Sequence, residues 1–204
     1  MAEQTTTMGL VDRLFADPPQ VHIELGNPDG GVWRTDRDCY EFIASCCVPG
    51  DRTLETGLGV STALFLLCGT RHTCVTPFQS EVDRLYGYCR QRDIDVSQLE
   101  LGLGFSDAVL PALPNDELDL MLLDGGHAFP TPMIDWFYGA GRLRRGGTLV
   151  LDDMHLPAVA TLVRYLECDP RWSLVHRTPK WSAWRRESEG SLREEWSDQA
   201  FYVP

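Results

Sequence analysis

Two short segments carry the residues best suited to chemistry. One is Asp124-Gly125-Gly126-His127 and the other is Asp152-Asp153-Met154-His155, each following an apolar run. Three carboxylates brought together repel, and each resists ionising beside the others. A hard divalent cation relieves that repulsion, and Mg²⁺ held by Asp124, Asp152 and Asp153 is the expected occupant. It would lower the pKa of a bound hydroxyl and so make a nucleophile at neutral pH. His127 and His155 flank the acids as candidate general bases. The plainer alternative has Asp153 capping the next helix, Asp152 solvated and Asp124 orienting backbone.

A third segment, Glu55-Thr56-Gly57-Leu58-Gly59-Val60-Ser61-Thr62, has two glycines spaced by one. That spacing allows a tight turn and lets a ligand lie against the backbone, where the free amides of a following helix point. Glu55 would anchor a cationic or hydroxyl-bearing group, for which an amino-acid ammonium is suitable. Thr62 stands where a dinucleotide fingerprint needs its last glycine, and no G-K-[ST] follows, so neither that fingerprint nor a phosphate P-loop is complete.

These segments need elements to bring them together. Short helices are expected at 9–15, 38–47, 60–68, 80–92, 107–113, 131–143 and 157–168. Strands are expected at 52–55, 72–76, 99–103, 118–123, 148–151, 172–176 and 181–185. The continuous run Leu118–Leu123 reads as a strand buried on both faces. Strands alternating with helices imply βαβ units and a doubly wound, mostly parallel Rossmann-like sheet flanked by helices. Ligands then bind beyond the carboxyl ends of the strands, which is where all three segments fall. The expected division is an N-terminal helix and loop (1–35), a ligand-binding domain (36–186) and a polar tail (187–204) that folds back or pairs with a second subunit.

With 204 residues, 43% hydrophobic, the chain can bury a sizeable core. Its net charge of −12 disfavours a nucleic-acid or membrane-surface partner. No apolar run approaches the roughly 20 residues of a membrane span, and Met1–Met8 does not read as a secretory signal. Seven cysteines without a C-x-x-C pair read as free thiols, Cys46, Cys47, Cys68 and Cys74 being buried, in a reducing cytoplasm. Trp33 or Trp136 could wall a substrate site, and Arg142, Arg144 and Arg145 read as cations closing a helix.

Taken together, E-T-G-L-G-V-S-T, L-D-L-M-L-L-D-G-G-H and L-R-R-G-G-T-L-V-L-D-D resemble the motifs of class I S-adenosylmethionine (SAM)-dependent methyltransferases. The likeness is to the small-molecule O-methyltransferase group that includes macrocin O-methyltransferase-type enzymes, and it covers about residues 34–186. The resemblance implies a seven-stranded sheet whose last strand is antiparallel. It implies that Glu55, Gly57 and Gly59 line the amino-acid part of SAM, that Ser61 lies near its carboxylate, and that Ser106 lies by the adenine. It implies Mg²⁺ on Asp124, Asp152 and Asp153 holding the oxygen of a small hydroxylated acceptor, with His127 or His155 taking the proton. The second strand ends in Thr76-Pro77 where such enzymes carry a ribose-binding acid, so Gln79 or Glu81 has to replace it. Phe105 stands where the third-strand loop often has Asp. Two other readings stay open: a SAM- or nucleoside-binding protein without catalysis, and an NAD(P)-dependent oxidoreductase. The short region before Asp36 leaves little room for a lid, which a homodimer partner could supply.

Overall fold

The computed structural model describes residues 2–23, 31–193 and 195–199. Seven strands, β1 (Arg52–Thr56), β2 (Arg71–Thr76), β3 (Leu99–Leu103), β4 (Leu118–Leu123), β5 (Leu143–Leu151), β6 (Trp172–Arg177) and β7 (Ser182–Arg186), form one sheet in the order β3-β2-β1-β4-β5-β7-β6. Strands β1 to β5 run parallel, and β7 is antiparallel to both β5 and β6. The helices are α1 (Ala2–Ala16), α2 (Arg37–Cys46), α3 (Val60–Leu67), α4 (Gln79–Gln91), α5 (Ser106–Val109), α6 (Thr131–Gly139) and α7 (Pro157–Cys168). This is the doubly wound, mostly parallel Rossmann-like sheet expected from the alternation.

The run Leu118–Leu123 is apolar except at Asp119 because it serves two cores. Leu120 and Leu122 join Val11, Ile43, Phe65 and Trp181 on one face, with Val150 of β5. Met121 and Leu123 join Trp136, Leu162 and Trp184 on the other, with Leu149 and Leu151. Successive strand side chains point to opposite faces, so a central strand covered on both sides is apolar at nearly every position; Asp119, near the start of β4, is the exception and pairs with Arg144.

Several boundaries differ from expectation. The first helix begins at Ala2 rather than Gly9, and Val11 and Leu14 are buried in the main core. The helix expected over 107–113 is α5 followed by a 3-10 turn at Leu110–Ala112. The helix expected over 131–143 stops at Gly139, and β5 already starts at Leu143. Gly146 and Gly147 therefore lie inside β5, not at its start. Gly146 has φ +80°, and pairing with β4 slips between Leu118 and Leu120. A side chain at Gly147 would press on the carbonyl oxygens of Leu118 and Asp119 at 3.2 Å. The glycines make room for a bulge. It follows that Arg144 and Arg145 are strand residues, and Arg144 pairs with Asp119 at 2.7 Å.

The tail turns back onto the body as far as it is described: Leu192 is buried in the second core. Residues 24–30 of the expected loop, and Phe201-Tyr202 of the tail, lie outside the described residues. All seven cysteines are free. Cys39, Cys74 and Cys89 are buried, Cys46, Cys47 and Cys68 only half-buried, and Cys168 exposed. Among the described residues no helix is long and apolar enough to cross a membrane.

Candidate active site

The turn after β1 is shaped by Gly57. Its φ is +90°, a region side chains avoid, and a Cβ there would lie 2.3 Å from the Asp124 carbonyl oxygen. The loops after β1 and β4 thus touch through backbone, with no room for a side chain between them. Gly59 precedes α3, and its N–H donates to Thr62 Oγ1 at 3.0 Å. Thr62 in turn donates a short hydrogen bond to Glu55. The residue that breaks the dinucleotide fingerprint is therefore a relay tying the turn to the strand.

Glu55 is fully buried. Its Oε1 lies 3.1 Å from His72 Nε2, and His72 Nδ1 meets Thr53 Oγ1 at 2.8 Å, which meets Thr70 Oγ1 at 2.9 Å. The carboxylate expected to anchor a ligand ammonium is turned under the glycine turn and does not line the crevice. Its Oε2 is buried without a hydrogen-bond partner. The spacing placed the residue correctly but could not show that His72 on the neighbouring strand engages it.

Beyond the carboxyl ends of β1 to β5 lies a crevice in two halves, with volumes of about 660 Å³ and 620 Å³. Each is large enough for a small ligand. His22, Trp33, Gly57, Leu58, Asp124 and Gly125 line both halves, so the two are continuous. The first half is apolar, walled by Pro77, Phe78, Phe105 and Ile134, with Thr76, Glu81 and Ser106 as polar groups. Thr76 donates to Glu81 Oε2 at 3.2 Å. Gln79 instead donates to Asp83 on the exposed side of α4 at 2.8 Å and lines neither half. Of the two proposed substitutes for the missing acid, the crevice receives Glu81. Gly59 and Ser61 line the second half, with the acids.

β4 and β5 are neighbours, with Leu123 opposite Leu151, so Asp124 and Asp152-Asp153 emerge side by side. They do not play equal parts. Asp152 is 2% exposed; its Oδ1 accepts from Thr35 Oγ1 at 2.6 Å, and its Oδ2 lies 3.8 Å from Lys180 Nζ. Asp153 has φ +53°, strained for a non-glycine residue. It does not cap α7, whose N-cap is Leu156 and has no side-chain cap bond. His127 Nε2 sits 3.5 Å from Asp153 Oδ2 and 3.9 Å from Asp124 Oδ1, buried and without a hydrogen-bond partner. Ligand atoms of Asp124, His127 and Asp153 all fall within 4.8 Å of one another. The grouping best placed for a cation therefore differs from the expected three aspartates: His127 joins it and Asp152 is otherwise engaged. His155 is 60% exposed, with Nδ1 3.9 Å from Asp153, and does not line the crevice.

Burial pushes the Asp124 carboxyl well above its ordinary range, and the charges of Asp152, Asp153 and Glu55 add to this against Lys180. Asp152 is raised by burial too, opposed by Thr35 and Lys180. Lys180, from the turn between β6 and β7, was not singled out by the sequence; its signal is that it is the only lysine in the chain. Trp33, half-exposed, stacks on His22 at 5.3 Å over the junction of the two halves, whereas Trp136 is buried against Tyr165. Burial lowers the His22 pKa.

Residues 54–154 match the family model of a methyltransferase domain. No curated protein matches. Solved structures share the fold. The O-methyltransferase NovP superposes with a TM-score of 0.68 at 16% identity, covering 91% of this chain and 98% of that one. The O-methyltransferase TomG from Streptomyces achromogenes, solved with SAM, gives 0.70 at 13% identity, covering 88% and 90%. An rRNA methylase from Streptococcus thermophilus gives 0.60 at 13% identity, covering 77% and 99%. The fold thus occurs in proteins named for RNA as well, and does not itself bear out the exclusion of nucleic acid drawn from charge.

Proposed function

We propose that the chain is a SAM-dependent methyltransferase acting on a hydroxyl of a small molecule, assisted by a divalent cation, in the cytoplasm. The observation that carries this reading is the continuity of the crevice: the glycine turn and the acid cluster open into one space, joined at Gly57 and Asp124. A donor at the turn and an acceptor at the acids are then neighbours.

In this reading the methionine end of SAM runs along Gly57, Gly59 and Ser61, and the adenosine lies in the apolar half. Ser106 faces the adenine and Glu81, held by Thr76, faces the ribose. The acceptor enters the polar half beneath Trp33. Its oxygen forms a bond to the methyl carbon as the sulfur–carbon bond breaks and sulfur takes the electron pair. The hydroxyl proton passes to a carboxylate oxygen of Asp124 or Asp153. Such an in-line displacement needs alignment above all, and holding both partners in one crevice supplies it. A chain of charge −12 with a crevice of this size suits a small acceptor better than a polyanion.

The cluster fits a divalent cation: two carboxylates and an orphaned imidazole nitrogen converge. Bound there, such an ion would polarise the acceptor oxygen. Calorimetry with SAM tests the reading: a one-site isotherm is expected, and no heat at millimolar SAM rejects it.

A further inference from the structure

Lys180 is the only lysine among 18 basic residues, the rest being arginine. Its position is built. Thr178 Oγ1 accepts from the N–H groups of Lys180 at 3.1 Å and Trp181 at 2.9 Å. The Lys180 carbonyl accepts from Met154 N–H at 2.8 Å, which ties this turn to the loop bearing Asp152 and Asp153. Nζ lies 3.8 Å from Asp152 Oδ2 and 3.8 Å from Asp153 Oδ1, and donates to the Arg34 carbonyl at 3.2 Å. The ammonium stands among these three oxygens as a compact point charge. Asp152 already has Thr35 on its other oxygen.

What remains for an exchangeable ion is Asp124, His127 and Asp153. In an octahedral shell with ligands near 2.1 Å, donors stand about 3 Å apart when adjacent and about 4.2 Å apart when opposite. The separations of 3.5 Å and 3.9 Å from His127 Nε2 lie in that span.

We infer that the cation of this site is held by Asp124, His127 and Asp153, and that Lys180 is a resident positive charge that keeps Asp152 out of the ligand set. An imidazole nitrogen in place of a third carboxylate turns the site from Mg²⁺ toward a first-row transition ion such as Mn²⁺. The inference rests on the methyl-transfer reading for its purpose, but its test uses no methyl transfer.

Titration calorimetry of the full chain with MnCl₂ and with MgCl₂ reads the outcome. Mn²⁺ should bind at least about tenfold tighter than Mg²⁺. His127→Ala should bring the two ions within about threefold of each other. Lys180→Met should tighten Mg²⁺ by about tenfold by releasing Asp152, while Lys180→Arg, which keeps the charge, should retain the preference for Mn²⁺. Mg²⁺ binding as tightly as Mn²⁺, His127→Ala without effect on Mn²⁺, or no heat from either ion overturns the inference.

Because Lys180 carries the only side-chain amine, its acetylation by an N-hydroxysuccinimide ester, followed by peptide mass spectrometry, is a second readout. The rate should be unchanged by saturating Mn²⁺; an acceleration of about tenfold would mean that the ion has displaced Lys180, and overturns the inference. S-adenosylhomocysteine titrated into the same samples separates the two readings, since its failure to bind counts against methyl transfer and leaves the metal result standing.

Discussion

The two halves of the crevice are made of different material. The half beyond β1 to β3 is backbone and apolar rings, with few polar atoms. The half beyond β4 and β5 is dominated by charged and titratable groups, among them Asp124, Asp152, Asp153, His22, His127 and Lys180, brought together from distant parts of the chain. Backbone turns hold a ligand by shape and cost little to maintain. Clustered charges must be neutralised, and the fold meets that need unevenly, giving Asp152 two partners and leaving His127 Nε2 with none. A site meant to receive something is expected to leave some of its polar atoms unsatisfied in this way.

The sharpest way to break the contrast is at the seam. Gly57→Ala places a methyl against the Asp124 carbonyl in a backbone conformation that alanine resists. SAM binding should weaken by at least about a hundredfold, as calorimetry would show, through displacement of the turn. Next comes the support beneath the donor half. Glu55→Ala leaves Thr62 Oγ1 and His72 Nε2 buried without their partner, and denaturant unfolding should register a loss of about 1–3 kcal/mol.

Asp135, wholly buried below the same half, has its carboxyl pushed up to about 6, first by burial, against the hydroxyls of Thr56 and Ser106. A raised folded value means that its ionisation opposes folding. The penalty is absent below the ordinary value of 3.8 and complete above about 6. Asp135→Asn should therefore be more stable than the natural chain by about 3 kcal/mol at pH 8 and equal to it below pH 4. A melting series across pH would show the two curves converging on acidification.

Trp33→Ala removes a half-exposed ring over the junction, and should weaken SAM binding by about tenfold with little change in melting temperature. The smallest effect sharpens the assignment of the apolar half: Gln79→Ala should leave SAM affinity within about twofold, whereas Glu81→Ala should weaken it by about tenfold.

The alternation of strands and helices and the loops that carry the site were legible because period and punctuation dictate them: glycines follow the runs of β1 and β4, and acids follow those of β4 and β5. What was not legible depends on side-chain direction. Nothing in the spacing says that Glu55 turns inward to His72, since the two meet only when β1 and β2 pair in register. Gln79 and Glu81 looked equivalent, but they stand two apart on a helix, so only one faces the crevice. Asp152 and Asp153 are adjacent, and the positive φ at the second sends their side chains to different partners. Gly146-Gly147 read as a stop because glycine pairs usually are; here they accommodate a bulge inside a strand. Lys180 lies far along the chain in an unremarked turn, and its uniqueness was the one available sign.

The line of buried polar groups from the Gly59 amide through Thr62, Glu55, His72 and Thr53 to Thr70 has a consequence for anyone redesigning this crevice. New acceptors can be sought by varying residues 33 or 34, which are exposed at the crevice. The five side chains of that line should be exchanged as a set or left alone, because each is the buried partner of the next, from Thr70 just before β2 to the glycine turn after β1.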